Sequence, residues 1–196
     1  MAISSQEERI SKWLTPGYRE DRAVVYRRIR DYLLAKGPAP ARILDIGSGL
    51  GLSTIPWQRE FQSQLWFLEG DQGGNSAEQN RQGKFNTAQS MQFYCGLETL
   101  QQFWQEESVD YTLVDARKPE IDPAVQFDLI VSTLSCGWHY PLSTYRDLIA
   151  KHLAPKGSVI MDFRLPENKY SQGCAYRTVD RLYYEGRQGT FAIELL

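Results

Sequence analysis

The stretch that decides the fold is Arg42-Ile43-Leu44-Asp45-Ile46-Gly47-Ser48-Gly49-Leu50-Gly51-Leu52-Ser53. Its apolar run around one acidic residue predicts a buried strand, and its three alternating glycines predict a sharp turn into a helix. Glycine is needed where a side chain would block such a turn or a ligand. The first turn of the following helix has backbone N–H groups without partners inside the helix, which favours a polar or anionic ligand there.

The spacing of the glycines separates three kinds of nucleotide-binding loop. A phosphate-binding loop has a Lys-Ser/Thr pair after its last glycine, whereas this chain has Leu52-Ser53 after Gly51. The dinucleotide-binding fingerprint has a third glycine or an alanine at the position of Leu52. The pattern that remains is D-x-G-x-G-x-G, in which Asp45 lies two residues before the first glycine. A tight turn without any ligand is the structural alternative.

The D-x-G-x-G-x-G pattern resembles the first motif of class I S-adenosylmethionine-dependent methyltransferases. The resemblance implies a doubly wound, Rossmann-like α/β fold, whose seven-stranded, mostly parallel sheet ends in an antiparallel C-terminal hairpin. It also implies S-adenosyl-L-methionine (SAM) as the cofactor. In that family the glycine loop lies under the amino-acid end of the cofactor, and the acid lies near its ammonium group. The corresponding residues of this chain are Asp45, Gly47, Ser48, Gly49 and Gly51.

Two further predicted strands are each followed by an acidic residue. Apolar residues 65–68 end at Glu69, where a carboxylate can accept hydrogen bonds from both ribose hydroxyls. Asp71 is the alternative ribose ligand, but Glu69 follows the strand directly, and an acid of an ordinary turn is the alternative for both. The resemblance implies that Asp115, after the third strand, contacts the adenine, with Ala116 beside it.

The fourth predicted strand, residues 127–132, is followed by the segment in which we expect the chemistry. In the resembling family its carboxyl end faces both the methyl donor and the acceptor, which implies Ser132 as a cofactor contact. The next residues, TLSCGWHYP, differ from the N-P-P-Y or D-P-P-Y sequences of enzymes that methylate amino groups. A histidine can take a proton from a hydroxyl near pH 7, so His139 in this aromatic loop is the candidate base for O-methylation. A histidine that only hydrogen-bonds the loop is the alternative.

Four residues are candidates for binding the acceptor. Trp138 and Tyr140 can stack on a sugar or an aromatic acceptor, or simply pack the loop. Arg164, at the end of the fifth predicted strand, can pair with a phosphate or a carboxylate, or form a structural pair with Asp162. Tyr18 lies in a predicted loop between two N-terminal helices, where it would act as a side chain of a lid.

Length and composition predict a single methyltransferase domain over residues 1–196. A helical extension or lid would cover residues 1–37, with helices at about 4–14 and 20–36, and the Rossmann-like core residues 40–196. The net charge of −2 argues against nucleic acid as a partner. The N-terminus is too charged for a signal peptide, and no segment predicts a membrane span. Three widely spaced cysteines predict a reduced, cytoplasmic protein without a metal site.

These expectations combine into an enzyme that transfers a methyl group from SAM to a hydroxyl of a small molecule. The Trp138-His139-Tyr140-Pro141 sequence weakly resembles small bacterial or phage sugar O-methyltransferases, which suggests a carbohydrate acceptor. Two alternatives stay open. One is methylation of a nitrogen acceptor or of nucleic acid, and the other is a SAM-binding partner or regulatory subunit without transfer activity.

Overall fold

The computed structural model describes residues 10–71, 95–164, 174–186 and 188–196. Strands and helices alternate along most of this length. In chain order the elements are α1 (Pro16–Leu34), β1 (Arg42–Ile46), α2 (Ile55–Phe61), β2 (Gln64–Glu69), α3 (Leu97–Glu106), β3 (Tyr111–Asp115), β4 (Phe127–Ser132), β5 (Ser135–Tyr140), a 3₁₀ helix (Leu142–Thr144), α4 (Arg146–His152), β6 (Leu153–Arg164), β7 (Tyr176–Glu185) and β8 (Gln188–Leu195).

Seven strands form one sheet in the order β3-β2-β1-β4-β6-β8-β7. The strands from β3 to β6 are parallel, whereas β8 runs antiparallel to both β6 and β7. The chain proceeds from β1 outward to β3 and then returns to β4 on the other side of β1. This reversal confirms the predicted Rossmann-like sheet with its antiparallel hairpin. Ligands of such sheets bind beyond the carboxyl ends of the strands where the order reverses, which here is between β1 and β4.

The central strands are apolar on both faces because helices cover the sheet on both sides. Ile43 of β1 packs in a cluster with residues of α1, α2 and α3, whereas Leu44 packs in a second cluster with residues of β5 and α4. Both side chains are fully buried. The alternation of neighbouring residues between the two faces fixes the register of β1 and therefore the position of the loop that follows it.

The start of α1 differs from the prediction. A loop was expected between helices at about 4–14 and 20–36. Instead, Pro16 occupies the first turn of α1 and Thr15 is its N-cap, whose hydroxyl accepts a hydrogen bond from the Tyr18 amide (3.4 Å). Proline is favourable at this position because its missing N–H would have no partner there. Tyr18 therefore lies in the first turn of a helix and not in a loop. The predicted helix at 4–14 falls mostly outside the described residues, but residues 10–13 are helical.

The aromatic segment after β4 was also expected to be a loop, but it forms strand β5. This strand lies outside the sheet order and packs against the end of β6. The contact is close at Gly137 (φ +82°), where a Cβ atom would lie 2.8 Å from the carbonyl oxygen of Asp162. The strand thus depends on its contact with a segment that is distant in sequence.

Neither a membrane span nor a metal-binding cluster is found in the described ranges. None of the helices there combines the length and the apolar character that crossing a bilayer requires. Nor do three or more histidine, cysteine, aspartate or glutamate side chains of those ranges group together as metal ligands.

Candidate functional site

The loop between β1 and α2 forms one wall of a cavity of about 370 Å³ at the carboxyl ends of the central strands. Its three glycines, Gly47, Gly49 and Gly51, all have positive φ angles, of 70°, 51° and 68°. Such angles favour glycine because a Cβ atom would clash with the backbone. The surroundings of the three glycines differ, however, and they indicate different roles.

Gly47 and Gly51 are required by the packing of the protein itself. A Cβ atom at Gly47 would overlap the side chain of Ser135, and one at Gly51 would lie 3.0 Å from the ring of Phe67. At Gly49 the nearest atom would be in the ring of Trp13, 3.9 Å away. Gly49 is therefore the position at which the loop leaves space in the cavity.

Glu69 lies at the carboxyl end of β2, in the wall of the same cavity. Its carboxylate accepts hydrogen bonds from the backbone N–H groups of Gly49 (2.8 Å) and Gly70 (3.1 Å). Burial raises the pKa of Glu69 to about 7, and these two hydrogen bonds limit the rise. The residue thus connects the glycine loop to β2 and changes its charge near neutral pH.

Asp45 is buried beneath the loop and does not line the cavity. One carboxylate oxygen accepts a hydrogen bond from the hydroxyl of Thr54, whereas Oδ1 has no partner among the described residues. Burial, with a further contribution from the charge of Glu69, raises its pKa to about 7. The hydroxyl of Ser48, in the cavity wall, is also buried without a partner in that part of the chain. Two buried polar atoms, one in β1 and one in the loop, therefore have no hydrogen-bond partner among the described residues, which fits a polar ligand.

The N-terminal segment forms a second wall of the cavity. The rings of Trp13 and Tyr18 stack with their centroids 6.4 Å apart, and the guanidinium of Arg22 lies 5.4 Å from the Tyr18 ring. Lys12 and all three of these residues line the cavity. In the sequence Arg22 is one of five arginines on one helix face (Arg19, Arg22, Arg27, Arg28 and Arg30), and it was not singled out among them. A solvated face was the favoured interpretation of this group, and a lid that helps to hold an anionic substrate was the alternative. The available signal was its spacing from Tyr18, since residues four apart lie on one helix face.

Strand β5 supplies the third wall, with Trp138, His139 and Tyr140 among the lining residues. Trp138 and His139 are half-buried, whereas only 4% of Tyr140 is exposed. The Tyr140 and Ser135 hydroxyls form a hydrogen bond (2.6 Å), and burial raises the pKa of Tyr140. The structure thus places the predicted base and both predicted aromatic residues near the glycine loop, with the hydroxyl of Tyr140 already bonded within the protein.

The turn between β4 and β5 is held by Asp162 of β6. Its carboxylate accepts hydrogen bonds from the backbone N–H of Leu134 (3.1 Å) and the hydroxyl of Thr190 (2.6 Å). Leu134 has a positive φ of 58°, a conformation that a leucine adopts only when its surroundings hold it. Asp162 therefore fixes the direction in which β5 leaves the sheet.

Four predicted contacts lie elsewhere or cannot be placed. The buried hydroxyl of Ser132 donates to the carbonyl of Ile46 (2.7 Å) and accepts from the Cys136 amide (2.8 Å). Asp115 is exposed beside Glu69 at the end of β3, and the carbonyl of the buried Ala116 accepts from Tyr145 (3.0 Å). None of these three is among the cavity-lining residues, and the side chain of Arg164 lies outside the described part of the chain. All four assignments stay predictions.

Comparison with known families identifies the class of protein. Residues 18–179 match the family model described as "Methyltransferase domain", which covers most of the chain. The chain therefore belongs to this methyltransferase family, and it is a class I enzyme that uses SAM as its cofactor. No curated protein matches the sequence.

Solved structures support the same fold. A protein of Pyrococcus horikoshii OT3, PH0226, has a TM-score of 0.62 at 12% identity over 93% of each chain. The precorrin-6y C5,15-methyltransferase of Geobacter metallireducens GS-15 has a TM-score of 0.51 at 16% identity, over 89% of this chain and 86% of its own. The plantazolicin methyltransferase BpumL, solved in complex with a triazolic desmethylPZN analog and SAH, has a TM-score of 0.52 at 15% identity, over 81% of this chain and 51% of its own. Identities this low bear on the fold alone.

Proposed function

We propose that this enzyme methylates a hydroxyl group of a small molecule, with His139 as the base and with carbohydrates as the first acceptor class to test. The observation that carries the proposal is the shared cavity, since His139 and Trp138 of β5 lie in its walls together with the glycine loop. The bound cofactor supplies an electrophilic methyl group on a sulfonium. What the protein must add is in-line positioning of the acceptor and a group that takes its proton.

The loop residues are proposed to hold the amino-acid end of the cofactor. Gly49 leaves the space for it. The hydroxyl of Ser48 and Oδ1 of Asp45, which have no partner among the described residues, are suited to accept hydrogen bonds from the ammonium group, directly or through a bridging hydroxyl or water. Glu69 has remaining acceptor capacity for the ribose hydroxyls. We retain Asp115 as the proposed adenine contact because β3 places it directly beside Glu69.

The proposed role of His139 is to accept the acceptor's hydroxyl proton. As the acceptor oxygen forms its bond to the methyl carbon, the proton passes to the imidazole and the carbon–sulfur bond breaks. Trp138, the neighbour of His139 in β5, would bind the face of a sugar or an aromatic ring. In this assignment the two half-buried residues of β5 contact the acceptor, and the buried Tyr140 stabilises the strand through its hydrogen bond with Ser135.

The test is methyl transfer from radiolabelled SAM to a panel of monosaccharides, phenols and amines. We expect hydroxyl acceptors to be labelled, and His139→Ala to lower kcat by about 10²- to 10⁴-fold, the usual contribution of a general base. The affinity for S-adenosylhomocysteine (SAH), measured by calorimetry, should stay within about twofold because His139 is not proposed to hold the cofactor.

Three results would contradict parts of this proposal separately. Equal kcat in both proteins would remove the base role of His139. Labelling of amines alone would replace O-methylation by N-methylation. If the wild-type protein bound neither SAM nor SAH, the site assignment itself would fail.

A further inference from the structure

Arg22 is a half-buried cation that the proposed reaction does not yet use. Its Nε and Nη1 atoms are buried and make no hydrogen bond in the described part of the chain, although the residue lines the cavity. Other arginines of the same helix are paired, Arg27 with Glu20 (2.6 Å) and Arg30 with Glu60 (3.3 Å). A buried guanidinium with unsatisfied N–H groups is costly, so its presence in a cavity wall points to a ligand that satisfies them.

Within the described part of the chain, no group forms a hydrogen bond with those two buried nitrogen atoms. The guanidinium carbon of Arg22 lies 5.4 Å from the centroid of the Tyr18 ring, which is a cation–π contact. The nearby carboxylate of Asp162 feels the charge of Arg22, but it is bonded to Thr190 and Leu134 and forms no ion pair with Arg22. Asp162 therefore balances part of the charge of Arg22, whereas Nε and Nη1 make no hydrogen bond among the described residues.

The charge of Arg22 acts on Asp162, so the two side chains lie near each other. Asp162 belongs to β6, two strands from β1 in the sheet order, and β5 packs against β6. On this side of β1, Trp138 and His139 of β5 line the same cavity as Arg22. Glu69, the proposed ribose ligand, lies on the opposite side, at the end of β2.

We propose that the methyl acceptor carries an oxyanion, a carboxylate or a phosphate, and that Arg22 binds it through its guanidinium group. This inference rests on the proposed function, because it specifies the acceptor of the same site. The guanidinium can donate charge-assisted hydrogen bonds to either group. Lys12 in the same wall adds a second positive charge. Among carbohydrates, the proposal selects sugar acids and sugar phosphates over neutral sugars.

The test measures anion binding to SAH-saturated protein by calorimetry and NMR. The probes are inorganic phosphate and benzoate, with benzamide as the uncharged match of benzoate. We expect both anions to bind the wild-type protein, and Arg22→Gln to weaken them by about 10- to 100-fold, the loss expected for charged hydrogen bonds. Arg22→Lys should restore part of the affinity, since it keeps the charge without the planar edge.

Arg27→Gln is the matched control, because Arg27 is exposed on the same helix. It should bind both anions as the wild-type protein does. Thermal unfolding checks that Arg22→Gln is folded, and we expect a midpoint close to that of the wild-type protein because the lost groups make no hydrogen bond. Equal anion affinity in the Arg22→Gln and wild-type proteins, or no anion binding by the wild-type protein, would overturn the proposal.

A second arm separates the acceptor's anion from the carboxylate of the cofactor. Methylthioadenosine lacks the amino-acid part of SAH, so the ratio of the two affinities reports on that carboxylate. We expect Arg22→Gln to leave this ratio unchanged, and a loss of SAH affinity alone would assign Arg22 to the cofactor and overturn the acceptor assignment. If the wild-type protein failed to bind SAH, the proposed function would fail, but Arg22-dependent binding of phosphate or benzoate would still support the anion site.

Discussion

Replacing Gly47 by alanine would put a methyl group where the structure already has the Ser135 side chain. The backbone cost comes from the φ of +70°, which destabilises a residue with a Cβ atom by about 1–2 kcal/mol. The steric cost comes from displacing Ser135 and the nearby Tyr140 hydroxyl, and overpacking of this kind costs about 1–3 kcal/mol. Together these costs should lower the free energy of unfolding by about 2–5 kcal/mol, which corresponds to a decrease of roughly 4–20 °C in the unfolding midpoint of a domain of this size.

Gly49→Ala is the matched comparison within the same motif. Gly49 also has a positive φ, but the nearest atom to the new methyl group would be 3.9 Å away. Only the backbone cost of about 1–2 kcal/mol should apply. The methyl group would instead occupy space in the cavity, so SAH affinity should fall in Gly49→Ala more than in Gly47→Ala protein that is still folded.

The assay is urea unfolding of four proteins: wild type, Gly47→Ala, Ser135→Gly and the double variant. Ser135→Gly removes the side chain that the new methyl group would overlap. The double variant should therefore regain the part of the unfolding free energy that this overlap costs, which is a coupling of about 1–3 kcal/mol between the two substitutions. The m-values must agree for the comparison to hold. Additive losses in the double variant, or no loss in Gly47→Ala, would refute the packing role of this glycine.

Two further predictions concern buried polar groups. Because the folded state raises the pKa of Glu69 from 4.5 to about 7, it binds the proton more tightly than the unfolded state, and this contribution to stability is lost as pH rises through about 7. Glu69→Gln should therefore reduce the fall in unfolding free energy between pH 4 and pH 8 by about 3 kcal/mol. Unchanged pH dependence would contradict the burial of that charge. Ser132→Ala should lower the free energy of unfolding, measured in urea, by about 1–3 kcal/mol, because it leaves the Cys136 amide without its acceptor. A loss of SAH affinity without a loss of stability would instead support the predicted cofactor contact of Ser132.

The parts of the fold that the sequence predicts are those with local signals. The apolar runs of β1 and β2 end in Asp45-x-Gly and in Glu69, and parallel strands bring their carboxyl ends to one edge of the sheet. Chain order then places Glu69 beside the glycine loop without any knowledge of distant contacts. The hydrogen bond between the Gly49 amide and Glu69 is the direct result.

The parts that the sequence does not predict depend on contacts between distant segments. The residues of β5 carry no clear alternation, and Gly137 weakens any strand prediction, yet the segment is extended because it packs on Asp162 and Phe163 of β6. The start of α1 was missed for a different reason. A Thr-Pro pair can end the helix before it or begin the helix after it, so the pair alone does not predict which. Here Thr15-Pro16 begins α1.

The glycine motif itself shows how far a sequence pattern constrains function. If all three glycines served the cofactor, each would face open space, but only Gly49 does so. Gly47 is determined by Ser135 of β5, and Gly51 by Phe67 of β2. Two of the three positions are therefore required by packing between the loop and strands β5 and β2, and they would be required in a turn without a ligand. The motif therefore predicts the fold at all three glycines but a ligand contact only at Gly49. Ligand binding depends on Gly49, Ser48 and the acidic residues around them. Substitutions of these residues should lower the affinity for the cofactor more than they lower the stability of the fold.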